Sequence, residues 1–265
     1  MPIGRNKAKT PCKHKLLTQV ARIFSIKNNG EILGLDLCSG NGKRDIDSGT
    51  SSAIIMLNYC KTGVFFEKDL HSAQKLLQTV NKKQESNKKL INKDFVGLVY
   101  PGCSEEGAPL VLDKLKDYEG VLVNADPNSV KDLSMTKRLL DRLPSKSVIV
   151  MTLGFTPSKR CYSNLSDREE WFDYFDDLKK WLPMKTHDII LYRLCGDISQ
   201  FVYLVAAQKH IISNINSSET INSIFSTWHS LGKDVDVVQY GLDPEGFDAL
   251  CNELVHTREE LANAQ

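Results

Sequence analysis

Gly34-Leu35-Asp36-Leu37-Cys38-Ser39-Gly40-Asn41-Gly42 is an apolar run that ends in a polar turn with two glycines two positions apart. The run starts at Ile32 and stays apolar almost to Cys38, as a strand buried on both faces does. Glycine permits a positive φ and lets a ligand approach the backbone closely, so the turn suits a nucleotide-like molecule. A bare strand-to-helix turn has the same composition. A dinucleotide fingerprint would read Gly-x-Gly-x-x-Gly, whereas this run reads Asp-x-x-x-Gly-x-Gly with its acid in the strand end. The third glycine, needed where a diphosphate meets a helix N-terminus, is missing.

On both sides of this turn, buried strands alternate with amphipathic helices. Leu16, Leu17, Val20, Ile23 and Phe24 recur at helical spacing and predict a helix over 15–26. Ala53, Ile54, Met56 and Leu57 mark a second helix over 49–60, and residues 63–67 a second strand. Ala73, Leu76, Leu77 and Val80 form one stripe of a helix over 70–82. The Lys-rich run that follows reads as a solvated turn into a third strand near 90–92, ending about Asp94. Further strands are expected at 120–125, 147–153, 188–194 and 203–207, with helices near 110–115, before Pro144, and across 167–182. The tail from 216 has weaker periodicity, with helical stretches near 219–230 and 244–262. The expected fold is α/β, a doubly wound, seven-stranded and mostly parallel sheet. A basic arm, 1–15, precedes a single domain, 16–265, with a C-terminal helical extension.

Composition narrows the function. The 265 residues hold 34 Lys plus Arg against 33 Asp plus Glu, with 41% apolar and 25% charged residues, as in an ordinary soluble globule. No apolar run approaches the roughly 20 residues that cross a bilayer, and the N-terminus lacks the apolar stretch of a secretory signal. A cytoplasmic protein without membrane contact is expected. Seven scattered cysteines without a Cys-x-x-Cys pair argue against a disulfide framework or a zinc ribbon, and no second pair completes a metal site with Cys12 and His14. Arg5, Lys7, Lys9, Lys13, His14 and Lys15, with no acid among the first fifteen residues, suit either phosphate contact or a solubilising tail. There is no Gly-x-x-x-x-Gly-Lys-Ser run and no nucleophile elbow, which removes P-loop and hydrolase chemistry.

The Asp36-to-Gly42 turn, with an acid at Glu67 after the second strand, is similar to the first motifs of class I S-adenosylmethionine-dependent methyltransferases. The resemblance implies S-adenosyl-L-methionine as cofactor, with Asp36, Cys38, Gly40 and Gly42 shaping its methionine pocket. Glu67 would accept hydrogen bonds from the ribose hydroxyls, as acids also do in nicotinamide enzymes. Asp94 would accept from the adenine amine, and Phe95 would flank the base.

The fourth strand delivers Asn124-Ala125-Asp126-Pro127-Asn128 to the edge where doubly wound sheets bind ligands. Asp126-Pro127 resembles the Asp-Pro-Pro-aromatic motif of amino-directed DNA methyltransferases; it also fits a plain helix cap. By that resemblance Asn124, Asp126 and Pro127 would hold the target amine, and nucleic acid is the implied partner, with adenine N6 of DNA as target. Asn128 and Ser129 stand where the motif has its second proline and its aromatic. Phe155 after the fifth strand can supply a ring to the same mouth, and Lys159 and Arg160 can meet a phosphate backbone. The basic-aliphatic opening at Lys13-His14-Lys15-Leu16-Leu17 and the Phe65-Phe66-Glu67 tip are partly similar to three-Cys-motif partner proteins, which are methyltransferase-like. A catalytically degenerate subunit that binds cofactor or nucleic acid within a larger complex is the alternative expectation.

Overall fold

The structure is a computed structural model that describes residues 9–43, 49–91, 96–104, 107, 111, 118–126, 143–154, 188–194, 201–217, 237–240 and 249. In chain order the elements are α1 (Lys9–Lys27), β1 (Ile32–Asp36), α2 (Ser52–Tyr59), β2 (Thr62–Phe66), α3 (Leu70–Ile91), β3 (Val96–Tyr100) and β4 (Gly120–Ala125). β5 (Ser147–Gly154), β6 (Asp188–Leu194), β7 (Phe201–Ala207), α4 (Lys209–Ile215) and β8 (Val237–Tyr240) complete them.

One sheet runs in the order β3-β2-β1-β4-β5-β7-β6-β8. β1 to β5 pair in parallel, while β7 lies antiparallel between β5 and β6. These seven strands form the mostly parallel sheet that the resemblance implies. An eighth, unexpected from the sequence, pairs antiparallel with β6, with Leu194 opposite Val237 and Leu191 opposite Tyr240. Strand order reverses between β1 and β4, so the crevice at their carboxyl ends is the place where such sheets receive ligands.

Strand alternation sorts the residues of that crevice. Gly120, Leu122 and Asn124 share one face of β4; a Cβ on Gly120 would meet the Phe24 ring of α1 at 2.6 Å. Gly34 shares this face on β1, where a Cβ would stand 2.8 Å from Cys60 Sγ and 2.9 Å from Met56 Sδ of α2. Leu16, Leu17, Val20, Met56, Leu76, Leu122, Val150 and Ile211 fuse α1 to α4 and the sheet into one core. On the other face Leu33, Leu35, Val121, Val123, Ile149 and Met151 are equally buried, as a doubly wound sheet requires.

Two elements differ from expectation. α1 starts at Lys9 rather than 15, and Lys13 and His14 are buried, so half of the expected basic arm is helix. α3 continues to Ile91, which moves the third strand from 90–92 to Val96–Tyr100. Lys, Gln and Glu are good helix formers and no Gly or Pro interrupts 70–91, so the polar run extends the helix instead of turning. Asp69 caps it by accepting the Ser72 N–H at 2.8 Å. The stripe on α3 is Ala73, Leu76 and Val80; Leu77 faces solvent. The expected helices near 167–182, 219–230 and 244–262 lie outside the described residues.

Candidate functional site

β1 ends on Asp36, whose register partner on β4 is Asn124. Asn124 Nδ2 donates to Asp36 Oδ1 at 2.8 Å, and both residues are sealed from solvent, at 0% and 1% exposure. The Leu37 N–H donates to the Asn124 carbonyl at 2.9 Å, so the pair is fixed by backbone as well as side chain. Among the described residues Asp36 Oδ2 and Asn124 Oδ1 have no hydrogen-bond partner. Buried acceptors left unpaired are costly, and a ligand bearing N–H or O–H groups would satisfy them. Burial pushes the Asp36 carboxyl above the usual carboxylate range, against the pull of Ser52, the Asn124 amide, the Lys13 ammonium and Ser39.

Past Asp36 the chain turns through Cys38 to Gly42. The Ser39 N–H donates to the Phe66 carbonyl at 3.0 Å and its hydroxyl to the Asp36 carbonyl at 2.9 Å, tying the turn to both strands. Gly40 has φ +61°, and nothing lies within 4 Å of where its Cβ would stand. Here the backbone is bare and open, as close approach of a ligand requires. Gly42, at φ +63°, does something else: a Cβ there would meet Leu76 Cδ1 at 2.7 Å, so its missing side chain seats the turn on α3. Cys38 is partly exposed.

Glu67 follows β2. Its N–H donates to the Tyr100 carbonyl at 3.2 Å, and its Oε1 accepts the Asp69 N–H at 2.9 Å. One carboxylate oxygen is thus turned into the cap of α3, and among the described residues Oε2 has no partner. The tip of β3 is Tyr100, its ring tilted against Phe66 with centroids 5.8 Å apart. Asp94 and Phe95 precede this strand instead of ending it, so the placement of an adenine acceptor at the third strand's tip fails for them. Both lie outside the described residues. Tyr100, Cys103 and the buried Ser104 occupy that edge instead.

Asn124 is also corrected. Its amide nitrogen donates to Asp36 and the residue is shut away from solvent, so it lies beneath the strand end rather than at the exposed tip where a target amine was expected. Asp126, two residues on and just past the strand, stands at the lip with its side chain 31% exposed. Its Oδ2 accepts from Lys13 Nζ of α1 at 2.6 Å. Burial pulls Lys13 down, but the Asp126 carboxylate, by charge and hydrogen bond, and then Asp36 and Cys38 carry it above the ordinary lysine value. The sequence reading placed Lys13 in a solvated arm. The missed signal is its spacing: Lys13 heads the stripe that continues through Leu17, Val20 and Phe24, so the helix aims it inward.

Pro127, Asn128, Phe155, Lys159 and Arg160 lie outside the described residues. Among the described residues no three His, Cys, Asp or Glu side chains gather as around a metal ion, and no helix is long and apolar enough to cross a membrane.

Neither a protein-family model nor a curated protein matches this sequence. Solved structures do match. A crystal structure of the Legionella pneumophila protein LPL1258, of family model DUF519, aligns with TM-score 0.58 at 10% identity over 88% of this chain and 96% of its own. An rRNA methylase from Streptococcus thermophilus aligns with TM-score 0.43 at 11% identity, over 72% and 94% of the two chains. SMU.1697c of Streptococcus mutans, in complex with SAH, gives TM-score 0.46 at 13% identity over 72% and 96%. At 10% identity the likeness to LPL1258 is one of fold.

Proposed function

We propose that the chain is an S-adenosyl-L-methionine-dependent methyltransferase acting on an amino group of nucleic acid, with adenine N6 as target. The observation that carries this reading is the Asp36–Asn124 pair at the β1/β4 crevice, buried, mutually bonded and left with one orphaned oxygen on each residue. A zwitterionic, multiply N–H- and O–H-bearing ligand suits that floor, and the open backbone at Gly40 suits its close approach. If Asp36 and Asp126 are both ionised, these two carboxylates and the Lys13 ammonium sum to −1. A site with that balance favours a cationic sulfonium donor.

In this reading Asp36 and Asn124 hold the amino-acid part of the cofactor, Gly40 brings the backbone beside it, and Glu67 offers Oε2 to a ribose hydroxyl. Tyr100 and Ser104 border the adenine side in place of Asp94 and Phe95. When bound, the cofactor supplies an electrophilic methyl group. Transfer to nitrogen then needs little beyond positioning and local charge. Asp126 accepts a hydrogen bond from the target amine, which turns the nitrogen lone pair toward the donor.

Incubation of the protein with tritiated S-adenosyl-L-methionine and DNA or RNA tests this, with Asp126→Ala as control. Label in adenine that disappears in the variant is the expected result. Tight cofactor binding with no label in any polymer would mark the chain as a cofactor-binding partner subunit. Calorimetric binding of NADH in preference to S-adenosyl-L-methionine would overturn the assignment altogether.

A further inference from the structure

Lys13 is held unlike an ordinary lysine. Such side chains lay their stems along apolar surface and keep the ammonium in water. This one turns inward until its side chain is 11% exposed, where its charge must be matched by a partner. The packing that directs it is rigid. α1 lies against β4 with Phe24 over Gly120 at one end, Leu17 and Val20 in the common core, and Lys13 on Asp126 at the other. The ammonium therefore arrives at the lip of the crevice by the same contacts that hold the core together.

Its charge acts on a second carboxylate as well. Asp126 of the lip is its hydrogen-bonded partner, Asp36 of the floor feels its charge, and Cys38 of the intervening turn does too. His14, the next residue on α1, is buried as well. Without the ammonium, Asp126 would lose its 2.6 Å ion-pair partner. We propose that Lys13 is a positioning residue for methyl transfer: its ammonium anchors Asp126 at the lip as a fixed hydrogen-bond acceptor and balances it against Asp36. This rests on the reading of Asp126 given above. A carboxylate held by an ammonium still has lone pairs to offer and no proton to donate, so it selects an N–H donor such as an exocyclic amine.

The experiment compares wild type, Lys13→Gln and Lys13→Ala in steady-state methyl transfer to adenine-containing polymer, with SAH binding by calorimetry and folding by thermal melting. The expected result is a fall in kcat of about tenfold or more, a nearly unchanged KM for the polymer, and an SAH affinity within about twofold of wild type. Propylammonium added to Lys13→Ala should restore part of the rate in a saturable manner while leaving wild type unaffected, a recovery that a merely structural role would not give. Equal kcat in wild type and Lys13→Gln overturns the proposal, as does a loss carried wholly by SAH affinity. Should Lys13→Ala fail to fold, Lys13→Gln, one atom shorter but still a hydrogen-bond donor without charge, decides by the same kcat comparison. A wild-type chain that transfers no methyl group overturns the earlier reading and this one with it; activity in wild type that Lys13→Gln shares overturns only this one.

Discussion

Asp36 and Asp126 are the same residue type, one at the end of β1 and the other just past the neighbouring β4, two positions beyond the register partner of Asp36, yet the fold gives them opposite surroundings. Asp36 has an amide as its partner, no solvent, and an oxygen left over. Asp126 has an ammonium and keeps about a third of its side-chain surface exposed. The difference arises from those two positions. Position 36 ends inside the sheet, where it meets Asn124, whereas position 126 clears the strand and meets the first turns of α1.

Exchanging the two acids for alanine should separate these roles most sharply. Asp126→Ala is expected to lower methyl transfer by about 100-fold or more while leaving SAH binding close to wild type, with a lower melting temperature because the buried Lys13 ammonium loses its partner. Asp36→Ala should do the reverse, removing SAH binding in calorimetry. Equal losses of binding in both variants would erase the distinction. Next in size is Asn124→Ala, which leaves Asp36 without its amide donor. Loss of a hydrogen bond to a buried acid costs about 1–3 kcal/mol, readable in urea denaturation.

pH sharpens the contrast with a smaller effect. The folded-state value of Asp36 lies above the unfolded one, so its ionisation burdens the folded state at all higher pH. That burden fades as pH falls through the folded value and is gone below about 3.9. Asp36→Asn should flatten this part of the stability profile. Lys13 is raised as well, so what it contributes is fully present below about 10.4 and lost as pH rises through its folded value. Wild type should therefore lose stability at alkaline pH more steeply than Lys13→Gln. Least affected should be Lys61→Met. The Lys61–Glu31 pair is exposed on both sides, and its removal is expected to leave the melting temperature within about a degree.

Most of the sheet was legible because buried strands are short apolar runs. The bounds 120–125 and 188–194 agree to the residue, and Asp36, Gly40 and Glu67 do stand at or just after the ends of β1 and β2, where the apolar runs place them. The third strand was not legible, because Val96-Gly97-Leu98-Val99-Tyr100 sits at a sheet edge and follows a helix whose polar end mimics a turn. That displacement alone took Asp94 and Phe95 off the strand's tip. Lys13 escaped for the opposite reason: a charged residue at the head of an apolar stripe reads as solvated until its partner, 113 positions away, is known. Asn124 was recognised as part of the crevice, but only register with Asp36 reveals which way it faces.

β8 has a practical bearing on how the molecule can be shortened. Val237 to Tyr240 cover the hydrogen-bonding side of β6, which would otherwise be the last strand of the sheet. A chain cut before residue 237 would bare that side along Leu191 to Leu194, and bare strand sides recruit other chains. Aggregation on truncation would then report a lost sheet partner and say nothing of chemistry between β1 and β4.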